Sequence, residues 1–497
     1  MSAKNRDSKM MGRRDFLKMA AAMGATLVGS TLVACAPAAA PTKEAPTSAP
    51  AATSAPEATN APEATTAPEQ AGTLEKNAEL VFAWWGSPYE KETGEKMLAT
   101  FTETTGIKTT PMHMPDQYMD KMQAMAAANT LPDVFYLPYS FLTDWAQKSI
   151  IKELTPLYEA DSEADINKIV PVCRFKVGSK IFGTGACTEP YMMFYNKKVF
   201  DDAQVPYPPA KVEEAWTWDK FIEVCQQLTV DESGKHPNES GFDPTKVKIF
   251  AVDVIRWSNN YWTYGPGLWQ EGSDVYSEDM NTLFPQQDKA ADVIQKIADT
   301  YCKYYVSPSP EYYGQSGMST IQMMQTGKLA MQCIGNWALE EISHSKFSYG
   351  EAVIPKMGDS YVIFGRSDAI GMSNKTKYPN AAWQLHKYVT FGEGSLALCK
   401  TGLWQPQRID LLTTDEGRKK WMTEGVHTPE HVTAACLPAV NNARDVPPRT
   451  GMDEWQTKYL APALDPVFLG KKSAADALNE VVPKINQFLK DNPTWLP

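Results

Sequence analysis

Between residues 79 and 137 the chain alternates its apolar period, and that alternation restricts the fold more than any other feature. Residues 79–85 (Glu-Leu-Val-Phe-Ala-Trp-Trp) form a short apolar run of buried-strand type. Met97, Leu98 and Phe101 then fall on one helical face, and Gly106 stops it. Residues 107–112 make a second strand candidate. Tyr118, Met122, Met125 and Ala126 return to helical spacing, and residues 132–137 form a third strand. Strands alternating with helices imply right-handed βαβ crossovers and a largely parallel sheet. Ligands of such sheets sit beyond the carboxyl ends of the strands. Those ends carry Trp84-Trp85-Gly86 and Tyr139-Ser140.

The alternation continues. Residues 191–196 read as a strand. Thr217 can cap a helix, with Trp216 and Phe221 as its hydrophobic staple. Residues 254–269 are rich in aromatics. A helix from about Asp288 carries Ala291, Ile294, Ile297 and Tyr301. Gly327 starts a strand that ends near Trp337, and residues 351–355 and 368–373 are strand candidates. Residues 381–391 predict a helix ended by Gly392. Residues 474–489 predict another, kinked at Pro483. No long internal repeat is visible, and two α/β lobes satisfy both length and alternation.

The front of the chain has a different logic. Gly12-Arg13-Arg14-Asp15-Phe16-Leu17-Lys18, a short Ala/Gly-softened apolar run, and Leu32-Val33-Ala34-Cys35 follow the order of an export signal. The paired arginines resemble a twin-arginine signal, with Gly12 where Ser or Thr is usual. Leu-Val-Ala-Cys resembles a bacterial lipobox, whose cysteine is lipidated and becomes the new N-terminus. The alternative is an ordinary cleaved signal, or a spanning anchor, with Cys35 incidental. From Ala36 to about Thr73 the chain is almost entirely Ala, Pro, Thr, Ser and Glu. Such a segment cannot bury enough apolar surface to offset its ordering entropy. Its prolines favour extended conformations, so about 38 residues could reach roughly 100 Å. The expected organisation is a signal peptide at 1–34 and a lipidated Cys35 with its tether at 35–76. An exported body of about 420 residues follows, long enough for two domains.

Composition narrows the partners. The formal charge is -11, and no Lys/Arg cluster marks a nucleic-acid face. No later apolar run is long enough to span a membrane. The eight cysteines form no C-x-x-C and no zinc-ribbon spacing, so no metal or cofactor is expected. Cys225, Cys302 and Cys333 sit among apolar neighbours and read as small buried hydrophobes. One disulfide among the seven cysteines after Cys35 is compatible with the pattern, without a nameable pair.

Several phrases of the body carry a resemblance. They are Tyr118 with Lys121-Met122, Pro132-Asp133-Val134, Lys180-Ile181-Phe182-Gly183 with Phe194-Tyr195-Asn196-Lys197, Trp216-Thr217-Trp218-Asp219, Gly327-Lys328-Leu329-Ala330-Met331, and Ala381-Ala382-Trp383. In this order, from about Glu79 to the end, the chain resembles the extracellular solute-binding proteins of ABC importers, in the group typified by maltose-binding protein. It departs at Thr184, where the family often has Pro, and in extra residues around 231–244. The resemblance implies an α/β, two-lobed periplasmic-binding-protein-like fold of type II, with mixed or parallel sheets flanked by helices and a ligand cleft between the lobes. It implies lobe 1 at 77–188 plus 352–403 and lobe 2 at 189–351 plus 404–497. The chain would cross near Glu189, Glu351 and Trp404.

A sugar offers hydroxyls at its edge and C–H patches on its faces, so its site needs flat apolar walls and orienting polar groups. Tryptophan supplies such a wall with an N–H to spare, and this chain has 14. The candidates are Trp84, Trp85, Trp257, Trp262, Trp337, Trp404 and Trp455. By resemblance, Trp337 matches a sugar-stacking residue and Glu189 a carboxylate that accepts hydroxyl hydrogen bonds. Tyr139, Ser140 and Arg366 are added from position. The expected function is capture of an oligosaccharide or glycoside and its delivery to an ABC permease by lobe closure. The protein would be a monomer, outside the cytoplasm, held to the outer face of the membrane by lipid on Cys35. The rivals are a surface-anchored glycoside hydrolase and a binder of a non-sugar solute. No G-x-S-x-G, no H-E-x-x-H and no carboxylate pair nominates an enzyme.

Overall fold

The computed structural model describes residues 74–75, 77–254 and 261–497. The signal, Cys35, nearly all of the tether and Trp257 lie outside the described residues. At the tether's end, Glu75 accepts the backbone N–H groups of Asn380 (3.0 Å) and Ala381 (2.9 Å), in the first turn of the helix Pro379–Thr390.

The strands up to the middle of the chain are β1 (Glu79–Trp84), β2 (Lys108–His113), β3 (Val134–Leu137), β4 (Arg174–Val177), β5 (Lys180–Gly185), β6 (Tyr191–Asn196) and β7 (Val230–Asp231). Then come β8 (Val247–Asp253), β9 (Leu329–Gly335), β10 (Tyr349–Ala352), β11 (Ile363–Phe364), β12 (Ala369–Met372) and β13 (Ala443–Arg444). One sheet runs β2-β1-β3-β12-β5-β4 and the other β10-β6-β9-β8-β7. In the first, β1 is parallel to β2 and β3, but β12 is antiparallel to both β3 and β5. In the second, only β8 and β9 are parallel. Both sheets are therefore mixed, because a late strand is inserted between early ones in each.

The local signals behave as their chemistry requires. The helix Pro88–Thr105 buries Met97, Leu98 and Phe101 and ends on Gly106 at φ 76°. A left-handed residue there costs glycine no Cβ clash. Thr217 caps the helix Trp218–Leu228 by accepting the N–H of Lys220. Leu478, Val481, Ile485 and Leu489 bury one stripe of the helix Ala474–Asp491, which contains Pro483. β8 is a β-branched apolar run, Val247-Lys248-Ile249-Phe250-Ala251-Val252, that the sequence reading did not pick out, while the π-helical turns Val432–Cys436 and Gln456–Leu460 carry no periodic signal. The seven described cysteines are all free.

The chain passes from the first sheet to the second through residues 186–190 and returns between β10 and β12; Glu351 lies within β10. These passages are bonded to one another. Thr188 bridges both Gln405 and Arg366, its N–H reaching Gln405 O at 2.7 Å, and Glu189 N–H reaches Gly365 O at 3.2 Å. Beside them Arg366 is only 2% exposed. It forms ion pairs with Asp445 and with Asp368 (3.3 Å), contacts the Tyr261 hydroxyl, and rests 3.8 Å over the Tyr139 ring. Those carboxylates outweigh burial and raise its pKa. A second buried pair joins His431 Nδ1 to Glu351 Oε2 at 2.5 Å. Burial disfavours the imidazolium there, but the carboxylate prevails and raises the histidine pKa to about 10.

Removing one partner of a buried pair leaves an uncompensated charge, at a cost of about 3–5 kcal/mol. Arg366→Leu is therefore expected to shift the urea midpoint strongly downward, and Arg366→Leu with Asp445→Leu to recover much of the loss. An unchanged midpoint in the single variant would remove the cluster from the account. The His431–Glu351 pair has a pH signature. Its folded-state pKa is raised, so its stabilisation is complete below the ordinary histidine value of about 6.5 and is lost as pH rises through about 10. His431→Gln should flatten the wild-type decline in stability across that window.

Candidate functional site

A cavity of about 860 Å³ opens between the two sheets. The first sheet contributes the turn after β1 and Tyr136 of β3. The second contributes Gln332 and Ile334 of β9, Trp337 and the helix Ala338–His344. Glu189, Asp368 and Trp404 enter from the connecting segments.

The turn after β1 is built from Trp85-Gly86-Ser87-Pro88. Ser87 caps the following helix, its Oγ accepting the Glu90 N–H at 3.0 Å. Gly86 sits at φ 133°, and a Cβ there would lie 1.6 Å from the Glu90 carboxylate. Only glycine lets the chain turn while Glu90 folds beneath it. Glu90 accepts the Tyr136 hydroxyl at 2.9 Å. Across the cavity, a Cβ on Gly335 would meet the Trp337 ring at 1.7 Å, so the bare backbone allows the indole to lie back over the end of β9.

The aromatics form two walls. Trp85 meets Tyr136 edge-on at 4.9 Å, and Tyr136 reaches Trp404 at 6.1 Å. Opposite, Trp262 and Trp337 are 6.0 Å apart at 69°. Two contacts span the mouth. Ser87 Oγ donates to Glu340 Oε2 at 2.9 Å, and the Tyr89 and His344 rings stack at 4.7 Å.

The electrostatics are acidic. Burial pushes the Glu90 carboxyl up to about 8, against the stabilising Tyr136 hydrogen bond and with help from Glu340. Burial also pushes Glu189 up to about 8, aided by Asp368 and Glu90 and opposed by Arg366. Burial raises Glu340 as well. Among the described residues no group of His, Cys, Asp and Glu is arranged to hold a metal ion.

Of the residues expected at the site, Trp85, Glu189, Trp262, Trp337 and Trp404 line the cavity. Trp84 does not. It is 1% exposed and packs between Phe82 and His113 against Gly94. Trp84 ends β1 with its side chain in the core, whereas Trp85 opens the turn that lines the cavity. Trp455 is fully buried against Tyr276. Tyr139 and Arg366 belong to the buried cluster behind the site, and Ser140 is half-buried in the 3-10 turn Tyr139–Phe141 and lines nothing in the cavity. Trp257 and Cys35 lie outside the described residues.

Sequence reading missed Ser87, Glu90, Tyr136, Gln332, Glu340 and Asp368. For two of these a signal existed: Ser87-Pro88-Tyr89-Glu90 has capping-box spacing directly after the first strand. The Ser87–Glu340 contact joins residues 253 apart, which no local pattern could announce.

Comparison with known proteins agrees with this architecture. The maltooligosaccharide ABC transporter solute-binding lipoprotein of Streptococcus pneumoniae serotype 4 is 23% identical over 418 residues, spanning 81% of this chain and 84% of the relative. An ABC substrate-binding protein of Listeria monocytogenes in complex with cycloalternan has a TM-score of 0.69 at 18% identity, covering 84% of this chain and all of its own. The GacH receptor of Streptomyces glaucescens, solved unliganded and with acarbose, has a TM-score of 0.67 at 17% identity, covering 84% of this chain and 100% of its own. The fold is thus the two-lobed α/β fold of MalE-like binding proteins. Residues 96–424 match the family model for bacterial extracellular solute-binding proteins. With well over half its length so matched, the chain belongs to the bacterial extracellular solute-binding proteins.

Proposed function

We propose that this protein is the carbohydrate-capturing component of an ABC importer, tethered outside the membrane by lipid on Cys35. The observation that carries the reading is the cavity of about 860 Å³, walled by Trp85 and Trp404 on one side and Trp262 and Trp337 on the other. Its volume lies within the range of small-molecule sites. Flat indole faces with carboxylates between them suit the C–H faces and edge hydroxyls of a sugar. The relative from Streptococcus pneumoniae, whose name places it in maltooligosaccharide transport, supports the same class.

Lobe 1 would comprise 77–188 plus 352–403, and lobe 2 189–351 plus 404–497, with the bonded segments around Thr188, Arg366 and Gln405 as hinge. The ligand would favour the shut form because it touches both lobes. Ser87–Glu340 and Tyr89–His344 would form as the mouth closes. The shut form would then dock on the permease as a monomer. Twin-arginine export would deliver the body already folded, a route compatible with seven free cysteines.

The rival reading is a glycoside hydrolase, which would need one protonated and one ionised carboxyl beside the bond.

A panel of neutral and charged oligosaccharides should include one that shifts tryptophan fluorescence and raises the melting temperature. Ligand at a hundredfold excess over Kd adds about 2.7 kcal/mol to stability. Trp337→Ala and Trp262→Ala should each weaken that binding by about tenfold or more, measured by titration calorimetry. Response to peptides or polyamines alone, with reducing ends absent after every sugar incubation, would overturn the carbohydrate reading; new reducing ends would favour the hydrolase. Separately, Cys35→Ser should move the protein from the membrane fraction to the soluble one, and metabolic labelling with a fatty acid should fail on the variant. Unchanged membrane retention would refute the lipid anchor.

A further inference from the structure

The cavity has a charge pattern that a neutral sugar does not explain. Five carboxyl side chains line it: Glu90, Glu189, Glu340, Glu341 and Asp368. Among the described residues no lysine or arginine lines it, and the one imidazole, His344, is exposed and stacked on Tyr89 at the rim. The nearby guanidinium of Arg366 is already engaged by Asp445 and Asp368 from behind.

Carboxylates crowded into a half-dry cavity repel one another and lose solvation. The cavity answers by holding protons. Glu90, facing Tyr136, Ser87 and Glu340, and Glu189, facing Asp368, Arg366, Glu90 and Cys187, both have raised pKa values. A further observation is independent of the acids. Gln332, on the floor strand β9 and 2% exposed, has its Oε1 without a hydrogen-bond partner. An acceptor so buried and so unused is costly, and it belongs to the same cavity lining as the carboxyls.

Resting on the carbohydrate reading, we propose that the solute selected here is a sugar bearing a basic nitrogen: an amino sugar, or a glycoside with an unacylated amine. A protonated amine brings donors only, and the positive charge the lining lacks. Its charge would lower the pKa values of Glu90 and Glu189, release their protons to solvent and pair with the carboxylates so formed. The surrounding indole faces of Trp85, Trp262, Trp337 and Trp404 add cation–π attraction to the same group. A hydroxyl in that position would recover none of the charge term.

The test uses sugar pairs that differ only in amine for hydroxyl: glucose and glucosamine, galactose and galactosamine, each at one position, and cellotriose and its fully deacetylated glucosamine counterpart at three. Calorimetry on the whole body would be run at about pH 6.5, below the amine pKa of roughly 8. In at least one pair the ammonium member should bind about tenfold tighter or better. In the double variant Glu90→Gln, Glu189→Gln that ratio should fall to about one. Should the double variant not fold, the wild-type ratios and the single Glu189→Gln variant carry the test. Ratios of one or below in every pair, with neutral oligosaccharides still bound, would overturn the amine while leaving the carbohydrate reading intact. If no member of any pair and no neutral oligosaccharide binds, the carbohydrate reading fails and the amine with it.

Discussion

Everything the two sheets do together depends on how the chain passes between them. Thr188 lies in one such passage and ties it to its neighbours, bridging Gln405 on one side and Arg366 on the other. Backbone hydrogen bonds between crossing segments allow small changes of angle without breaking the core of either sheet. The Arg366 cluster fixes what must not move. It draws the turn after β3, the helix Tyr261–Gln270 and the segment after β13 onto one guanidinium, through Tyr139, Tyr261 and Asp445. Asp368 faces both ways, lining the cavity while it holds Arg366 and the Tyr139 N–H. The cavity wall and the Arg366 cluster thus share a residue.

The sheet alternation, the helix ends at Gly106 and Thr217 and the aromatic character of the cleft were legible in the sequence, because each follows from local chemistry. What was not legible is which member of a pattern faces the ligand. Trp84 and Trp85 are equally apolar, and a strand buried on both faces gives no alternation to separate them. Arg366 stands beside residues of the cleft and looked like one of them. Its true partner, Asp445, belongs to a distant segment that follows β13. Glu340 was invisible for the same reason, since its role depends on Ser87 at the other side of the mouth. The late insertion of β12 between β3 and β5 also made the first sheet mixed where the alternation suggested largely parallel strands.

The acids and the indoles of the cavity belong to one physical problem. Aromatic walls exclude water, and water is what would otherwise separate charges on Glu90, Glu189 and Glu340. The same walls that suit a sugar face therefore drive the carboxyl pKa values upward. Burial pushes Glu90 and Glu189 up to about 8, which favours their protonated forms at neutral pH, able to donate as well as accept. A protonated carboxyl is a good partner for a hydroxyl, but an imperfect use of a buried acid, because its charge is suppressed and not exploited.

That distinction decides what closure can accomplish. A neutral ligand leaves the suppressed charges as they are, and its binding energy comes from the indole contacts and ordinary hydrogen bonds. A cation would restore the charges and bind them in the same step, so attraction would strengthen if the lobes shut and expelled water. Glu340 belongs to the second sheet's helix and Glu90 to the first sheet's, and Ser87 already links the two sides through Glu340. A positive group between them would pull on both lobes at once. The free energy that selects the ligand would then be the same free energy that shuts the cleft.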